Sequence, residues 1–529
     1  NFFAFSKPLI IKEDLNDTLN LNDLKLNWHL AKSNLQTAPV GINAIPPQEL
    51  QLKGELTIAV IDTGININSP NLEGQIWINK KEIPNNGLDD DGNGYVDDIV
   101  GWNFLGSTDG SISFTVTDNT VVKAKRGKSS KQIFNDTLEK TRRLQKLIES
   151  QIFDTEYTNL FNEIYEKRNR AKKLKDAFKQ DITLFKSAAT HLKITTPLNV
   201  LNLAELLNIN PKNTQQEKAK EFLKRFLLSN KDFEYLQNQQ KEFFIQENFH
   251  YNYELNQRAI IVQDDINDFD QKGYGNNNIA TLNTDHGTKV SHLISAKPTL
   301  KAQVMGVGTN KIKIMPIRAI PNGDERDKDI VNAIKYAVDN GAKVINLSFG
   351  KYTSPNHFEV TQALEYANMN DVIVVIAAGN DYTDISKKRS YPYPFINQQK
   401  LENTLIVGSS SPFLGENIVS SFSNYGSPID ILAPGEKIYA LSSAGKVEVT
   451  NGTSLAAPLV SAVVGLIFLA NPKLKASEVV ELIKENGTSL SDTNIYLPDM
   501  GVVAINSVFP NPSILNMGKI FTNRIFKRK

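Results

Sequence analysis

The sequence predicts an α/β protein whose core is a doubly wound, mostly parallel sheet with helices on both faces. Short β-branched apolar runs recur along the chain, as in strands that are buried on both sides. These runs lie near residues 57–61, 313–318, 343–347, 372–377, 405–408 and 429–432. Between them, 327–340 and 476–485 carry apolar residues at helical spacing. Because strands and helices alternate, a parallel sheet covered by helices is the expected fold.

The first of these runs, 57–61, leads directly into a carboxylate. Asp62 follows the last apolar residue of the run and precedes Thr63 and Gly64. Open parallel sheets bind their ligands at the carboxyl ends of strands, so Asp62 is a candidate site residue. Taken singly, an aspartate in this position is more often a turn-forming residue.

His286 lies at the start of a helical pattern. It is followed by Gly287, and Val290, Leu293 and Ile294 continue the pattern as an apolar face. A histidine in this position is a candidate general base. Seen alone, however, it is more often a residue of the helix-capping region.

Residues 451–458 place a hydroxyl group at the start of an apolar helix. Gly452 allows a sharp turn, and the first helical N–H groups lie unsatisfied beside Ser454. Such groups stabilise negative charge that develops near the serine. A Gly-Thr-Ser sequence at a helix start is more often a simple cap. The catalytic interpretation of this segment depends on His286 and Asp62, which supply a base and the group that orients the base.

Three segments, in this order along the chain, resemble the signatures of the subtilisin-like serine peptidases. They are Asp62-Thr63-Gly64, His286-Gly287-Thr288 and Gly452-Thr453-Ser454-Leu455-Ala456-Ala457-Pro458. A fourth segment, Ala377-Ala378-Gly379-Asn380, resembles the part of the family that carries an oxyanion-hole asparagine. The resemblance covers residues 50–103 and 273–508, and it leaves the stretch between them unexplained.

The resemblance implies a serine endopeptidase that hydrolyses peptide bonds in polypeptide substrates. Ser454 would be the nucleophile, His286 the general base, and Asp62 the group that orients and stabilises the imidazolium. Asn380 and the Ser454 N–H would hold the oxyanion. Two rival hypotheses also fit the sequence: a catalytically silent scaffold that displays a binding surface, and a maturation peptidase dedicated to one partner protein.

The resemblance also assigns substrate contacts. The edge segment, which would pair with the substrate backbone as an added strand, is Ser348, Phe349 and Gly350. The first side-chain pocket would be built from Ala377, Ala378 and Gly379. Since these residues are small, the pocket is expected to admit a large apolar side chain.

The sequence departs from the family pattern just after His286. Lys289 replaces a histidine that is usual in the motif, and Ser291 and His292 stand where alanine and glycine are common. His292 lies six residues after His286, well off the same helix face, and is expected to be partly exposed.

An acidic loop at 86–98 is the candidate metal site. The alternate positions Asp89, Asp91, Asn93, the Tyr95 carbonyl and Asp97 resemble the first part of an EF-hand-type calcium loop. The glutamate expected at the twelfth position is replaced by Val100. A structural calcium ion is therefore one interpretation, and a solvated acidic turn is the other. No organic cofactor is indicated.

Composition narrows the function classes. Lys and Arg number 59 and Asp and Glu 58, so no global charge points to nucleic acid. The absence of cysteine excludes disulfides and thiolate chemistry. The apolar run 459–470 is shorter than the roughly 20 residues of a membrane span, so no transmembrane segment is expected. No signal peptide is evident, which suggests a mature or trimmed product, and the resemblance implies a secreted, periplasmic or cell-surface enzyme.

Four regions organise the chain. Residues 1–50 are expected to form an arm that packs on the catalytic domain, which comprises 51–105 and 256–510. Residues 106–255 read as an inserted helical bundle, either a lid without a binding role or a surface that recognises a substrate or protein partner. Residues 511–529 are expected to be a C-terminal tail, with a short, basic, frayed end at 518–529.

Overall fold

The protein is described from a computed structural model. It covers residues 26–107 apart from 33, 34 and 37, the segments 114–117 and 120–123, and residues 137–527 apart from 230, 280–283 and 301. The first half of the expected N-terminal arm, residues 1–25, lies outside the described residues.

Strands are numbered in chain order over the described residues. They are β1 (Leu56–Asp62), β2 (Trp102–Asn103), β3 (Phe114–Thr117), β4 (Thr120–Lys123), β5 (Ile312–Arg318), β6 (Val344–Leu347), β7 (Ile373–Ala377), β8 (Phe395–Ile396), β9 (Gln399–Lys400), β10 (Thr404–Ser410), β11 (Ile431–Pro434), β12 (Ile438–Leu441), β13 (Val447–Thr450), β14 (Thr488–Ser489), β15 (Asn494–Leu497), β16 (Gly501–Ala504) and β17 (Ser513–Ile514). The six strands predicted from the sequence are confirmed as β1, β5, β6, β7, β10 and β11.

Helices are numbered in the same way. They are α1 (Glu139–Glu149), α2 (Thr155–His191), α3 (Leu203–Leu207), α4 (Thr214–Leu228), α5 (Phe233–Ile245), α6 (Gln257–Ile261), α7 (Asp285–Ser295), α8 (Asp327–Asp339), α9 (His357–Met369), α10 (Thr453–Ala470), α11 (Ala476–Glu485), α12 (Met517–Thr522) and α13 (Arg524–Lys527).

Nine strands form the central sheet, in the order β14-β17-β11-β10-β7-β6-β1-β5-β2. All neighbouring pairs are parallel except β14 and β17 at one edge. Asp62, the last residue of β1, is opposite Arg318 of β5. β1 therefore lies inside the sheet, and its carboxyl end lies among the carboxyl ends of its neighbours, as the α/β prediction requires.

Each central strand contributes side chains to two separate cores. In β1, Ala59 and Ile61 pack in one core with α8 and α9. Ile58 and Val60 pack in the other with α7, α10 and α11. Because successive side chains of a strand point to opposite faces, helices must cover both sides of the sheet. The doubly wound fold predicted from the sequence is confirmed.

Helix α10 is long and apolar enough, by length and composition alone, to cross a membrane. It spans 18 residues with mean hydropathy 2.1, and 94% of it is buried inside the protein. An all-round apolar helix is typical of a protein core as well as of a membrane. Here it is the central helix of one face of the sheet.

A second compact unit comprises Asn135–Gln257, while the first comprises the rest of the chain. Its helices α2, α4 and α5 enclose a core of their own that includes Phe185, Leu223 and Leu236. The helical insert was expected to begin at 106, which is too early. Instead, β3 and β4 pair with each other as antiparallel strands.

Apolar side chains are buried near both ends of the described residues. Trp28 and Ile42 are buried in the core that contains α10. The expected tail at 511–529 is wrong: β17 pairs with β11, and Met517 and Ile520 are fully buried. The apolar residues of this short segment pack at the edge of the sheet. Their burial there is favourable because it removes apolar surface from water.

Candidate active site

The carboxyl end of β1 and the start of α7 bring Asp62 and His286 together. His286 Nδ1 donates to Asp62 Oδ1 at 2.8 Å, and Asp62 Oδ2 lies 3.0 Å from the same nitrogen. Asp62 is only 1% exposed. A Cβ added at Gly287 would lie 2.3 Å from the Gly64 carbonyl oxygen, so any side chain there would push α7 away from Asp62.

The pKa of the His286 imidazole is set by two opposing effects. Burial of the ring lowers it, but the charge and hydrogen bond of Asp62 raise it more, and the net shift is upward from 6.5. The positive charge of Lys289 acts in the opposite direction to Asp62. Lys289 lies 2.7 Å from both Asp285 and Glu448, which partly offset that charge.

Ser454 is the second residue of α10, and its backbone is held in an unusual way. The carbonyl of Ser454 would normally accept a hydrogen bond from the N–H four residues later, but Pro458 has none. The Ser348 hydroxyl donates to this carbonyl instead, at 2.9 Å. Ser348 is fully buried, so its side chain supports the first turn of α10, and only its backbone is left for the expected substrate contact.

The Asn380 side chain is oriented by Thr453. Thr453 N and Oγ1 donate to Asn380 Oδ1 at 2.8 and 2.9 Å. Gly379 N in turn donates to Thr453 Oγ1 at 3.0 Å, so that hydroxyl must give its proton to Asn380. With its oxygen held in this way, the amide directs its NH2 group away from Thr453. No role was predicted for Thr453 from the sequence, although this residue lies inside the serine motif.

A small space beside Gly452 borders the nucleophile and two N–H donors. A Cβ added at Gly452 would lie 2.9 Å from Ser454 Oγ, 3.7 Å from Ser454 N and 3.5 Å from Asn380 Nδ2. The same point is therefore close to a hydroxyl and to both predicted oxyanion donors. Glycine keeps this space open.

Five of the six residues predicted to bind substrate line one pocket next to Ser454. The edge residues 348–350 form part of it, together with Ala377 and Gly379. Ala378 is 1% exposed, does not line the pocket, and accepts a hydrogen bond from Asn424 Nδ2 through its carbonyl at 2.7 Å. The cavity measures about 20 Å³, which is room for about one water molecule.

The prediction that His292 is partly exposed is wrong. It is 1% exposed, and its Nδ1 donates to the Leu441 carbonyl at 3.1 Å while its Nε2 accepts from the Ser69 hydroxyl at 2.8 Å. Burial lowers its pKa to about 4. The neutral imidazole thus links α7 to β12 and to the 66–69 turn by hydrogen bonds. The glycine that is common at this position in the family pattern has no side chain to make them.

The acidic loop gathers three carboxylates, one of which was not predicted. The ligand oxygens of Glu82, Asp89 and Asp91 lie within 4.8 Å of one another. Glu82 is 6% exposed, and its Oε2 accepts no hydrogen bond from the described residues. Like charges so close together repel each other unless a cation neutralises them. No sequence signal marks Glu82, which lies outside the alternating pattern.

Asn93 and Asp97 make hydrogen bonds within the same loop. Asn93 Oδ1 accepts from the Tyr95 N–H at 2.8 Å, and the Asn93 N–H lies 3.1 Å from carboxylate oxygens of both Asp89 and Asp91. The Asp97 carboxylate accepts from the N–H groups of Asn86 and Gly87 at 3.2 and 2.9 Å.

The chain is similar to several known proteins. A model of the subtilase family matches residues 53–498. The cell wall-associated protease of Bacillus subtilis (strain 168) is 35% identical over 41% of this chain and 23% of that protein. Subtilisin DY of Bacillus licheniformis is 30% identical over 41% of this chain and 76% of its own length. The solved structure of sphericase gives a TM-score of 0.37 at 24% identity, over 42% of this chain and 76% of that one.

The chain therefore belongs to the subtilase family of serine peptidases. It spans less than a quarter of the first of these relatives and about three quarters of the second.

Proposed function

We propose that this protein is a serine endopeptidase that hydrolyses peptide bonds in polypeptides through Asp62, His286 and Ser454. The observation that carries the proposal is the hydrogen bond of 2.8 Å from His286 Nδ1 to the buried Asp62 carboxylate. It fixes the tautomer that leaves Nε2 as the basic nitrogen. His286 then takes the Ser454 proton as the hydroxyl attacks the scissile carbonyl, and Asp62 stabilises the imidazolium that forms.

The negative charge of the tetrahedral intermediate is held by Asn380 Nδ2 and the Ser454 N–H. Both donors border the space beside Gly452 that Ser454 Oγ also reaches. Because Thr453 fixes the amide before the reaction, no reorganisation is needed when the charge develops. His286 afterwards returns its proton to the leaving amine, and water repeats the sequence on the acyl-enzyme.

Backbone pairing with 348–350 would make recognition of extended polypeptides largely independent of sequence. Digestion of an unfolded protein such as reduced casein tests the activity. Many fragments support a broad endopeptidase, cleavage of a single partner protein supports the dedicated maturation peptidase, and no cleavage of either kind overturns the proposal.

In keeping with the cell wall-associated relative, we propose that the protein acts outside the cytoplasm. The unit at 135–257 is the candidate surface for a protein partner.

The pH dependence of kcat/KM follows from the His286 pKa. Only the neutral imidazole can take the proton, so kcat/KM rises with pH through a midpoint above 6.5 and then levels off. Since the Lys289 charge lowers this pKa, Lys289→Gln is expected to move the midpoint to higher pH. A pH–rate profile measures it, with the exposed Lys297→Gln as the control. A midpoint that moves to lower pH in Lys289→Gln would contradict this account.

We further propose that Glu82, Asp89 and Asp91 hold a structural calcium ion. Three oxygen ligands, one of them buried without a partner, suit a hard cation. The ion would neutralise the repulsion among the carboxylates and fix the loop.

Calcium is expected to raise the unfolding temperature, because an ion that binds only the native state adds about 2.7 kcal/mol at a hundredfold excess over its Kd. Thermal unfolding in millimolar calcium and in excess chelator measures the shift. Glu82→Gln should reduce it strongly, whereas the exposed Glu73→Gln should keep it. An equal unfolding temperature in calcium and chelator would return the loop to a solvated turn.

A further inference from the structure

The pocket beside Ser454 is lined by a tyrosine that no motif predicted. Tyr352 follows the edge segment 348–350, which forms one wall of the pocket. Its hydroxyl donates to Asp381 Oδ2 at 2.7 Å, and Asp381 belongs to the opposite wall that starts at Ala377. The side chain therefore links the two walls between which a substrate side chain would enter.

Two further contacts fix the position of the tyrosine ring. Asn424 Nδ2 donates to the Tyr352 hydroxyl at 2.9 Å and also to the Ala378 carbonyl at 2.7 Å. A Cβ added at Gly379 would lie 3.7 Å from the same hydroxyl, so the phenol reaches the wall itself. Lys388 Nζ lies 4.0 Å from the ring centroid, within the range of a cation–π contact.

The hydroxyl remains a donor under all physiological conditions. Burial and the hydrogen bond to Asp381 raise the pKa of Tyr352 above its usual value. Burial also raises the pKa of Asp381. The hydrogen bond from Tyr352 lowers it by less, so the net shift is upward. The pair is satisfied within the protein, so it does not offer an unpaired carboxylate to a cationic substrate side chain.

The space that remains is very small. A cavity needs about 10–15 Å³ to hold one water molecule, and this one measures about 20 Å³. Such a space holds about one water molecule, so a larger substrate side chain would have to displace the tyrosine ring to enter.

We infer that Tyr352 closes the first specificity pocket, so that the peptidase cleaves after glycine, alanine or serine and excludes large apolar residues. This inference rests on the proposed peptidase activity. Asp381 and Asn424 act as positioning residues, because they hold the phenol across the pocket.

The test compares succinyl-Ala-Ala-Pro-Ala and succinyl-Ala-Ala-Pro-Phe p-nitroanilides with the wild type, Tyr352→Ala and Tyr352→Phe. Since a side-chain pocket discriminates by about 10–200-fold in kcat/KM, the wild type should prefer alanine by at least about tenfold. Tyr352→Ala should shift the ratio at least about tenfold toward phenylalanine, mainly through KM for the larger substrate. Tyr352→Phe keeps the ring but loses the hydroxyl that Asp381 and Asn424 hold, so its ratio should lie between those of the wild type and Tyr352→Ala.

Tyr366→Ala is the matched control, since the Tyr366 hydroxyl also donates to an aspartate at 2.7 Å but on the exposed face of α9. Its ratio should equal that of the wild type. Labelling of Ser454 by a fluorophosphonate reports the peptidase site separately from specificity. A labelled enzyme that cleaves after phenylalanine as well as after alanine overturns the inference and leaves the activity standing. If Tyr352→Ala unfolds at a much lower temperature than the wild type, Tyr352→Leu is the alternative variant. It keeps part of the side-chain volume and should give an intermediate ratio.

Discussion

Replacing Ser454 or His286 by alanine is expected to lower kcat by about six orders of magnitude, the usual loss when the serine or the histidine of a serine triad is removed. The two side chains act as one unit, because attack by the hydroxyl requires removal of its proton in the same step. The double variant should therefore be no slower than either single variant. Turnover of a chromogenic peptide, measured with highly purified protein, gives the rates.

Surface residues of the same type provide the controls for these variants. Ser427→Ala and His357→Ala change exposed side chains and should keep the wild-type rate. The unfolding temperatures of the active-site variants should stay near that of the wild type, which separates lost chemistry from lost folding. Losses that multiply in the double variant would show that Ser454 and His286 act independently, which the proposed mechanism forbids.

Asn380→Ala is expected to lower kcat by about 100- to 1,000-fold with little change in KM. The amide donates to charge that exists only in the transition state, so its loss leaves substrate binding almost unchanged. The substitution also leaves Thr453 without its acceptor. Thr453→Val, which keeps Asn380 but removes the hydroxyl that orients it, should give a smaller loss in kcat.

Steady-state kinetics with one peptide separates these outcomes. If KM rises in Asn380→Ala while kcat holds, the residue binds the ground state, and the assigned oxyanion hole is wrong. If Thr453→Val is as damaging as Asn380→Ala, orientation of the amide matters as much as the amide itself.

Much of the fold and the chemical centre could be predicted because their signals are local. The run that forms β1 is apolar on both faces, so a buried strand ending at Asp62 can be read from a few residues. His286 precedes Gly287, where close approach to the Gly64 carbonyl requires glycine, and Ser454 follows Gly452 by two residues. The carboxyl ends of parallel strands and the starts of the helices that follow them lie at the same edge of the sheet, so a strand-end carboxylate and helix-start side chains are expected there.

The features that could not be predicted depend on contacts between distant segments. Tyr352 enters the pocket only because Asp381 and Asn424 hold its hydroxyl. Glu82 joins Asp89 through the folding of the loop rather than through a repeat in the sequence. His292 is buried because the Leu441 carbonyl and the Ser69 hydroxyl lie against both of its nitrogens. Helical spacing alone could not reveal such partners.

One measurement tests the central claim most directly: reaction of the intact protein with a fluorophosphonate, followed by peptide mass spectrometry. The proposed mechanism requires an activated hydroxyl, so we expect one adduct on Ser454, complete loss of peptide hydrolysis in proportion to labelling, and no adduct in Ser454→Ala. His286→Ala should be labelled far more slowly than the wild type, because the base is missing. An unlabelled Ser454 in a folded protein, or labelling as fast in His286→Ala as in the wild type, would contradict the assignment and favour the silent scaffold.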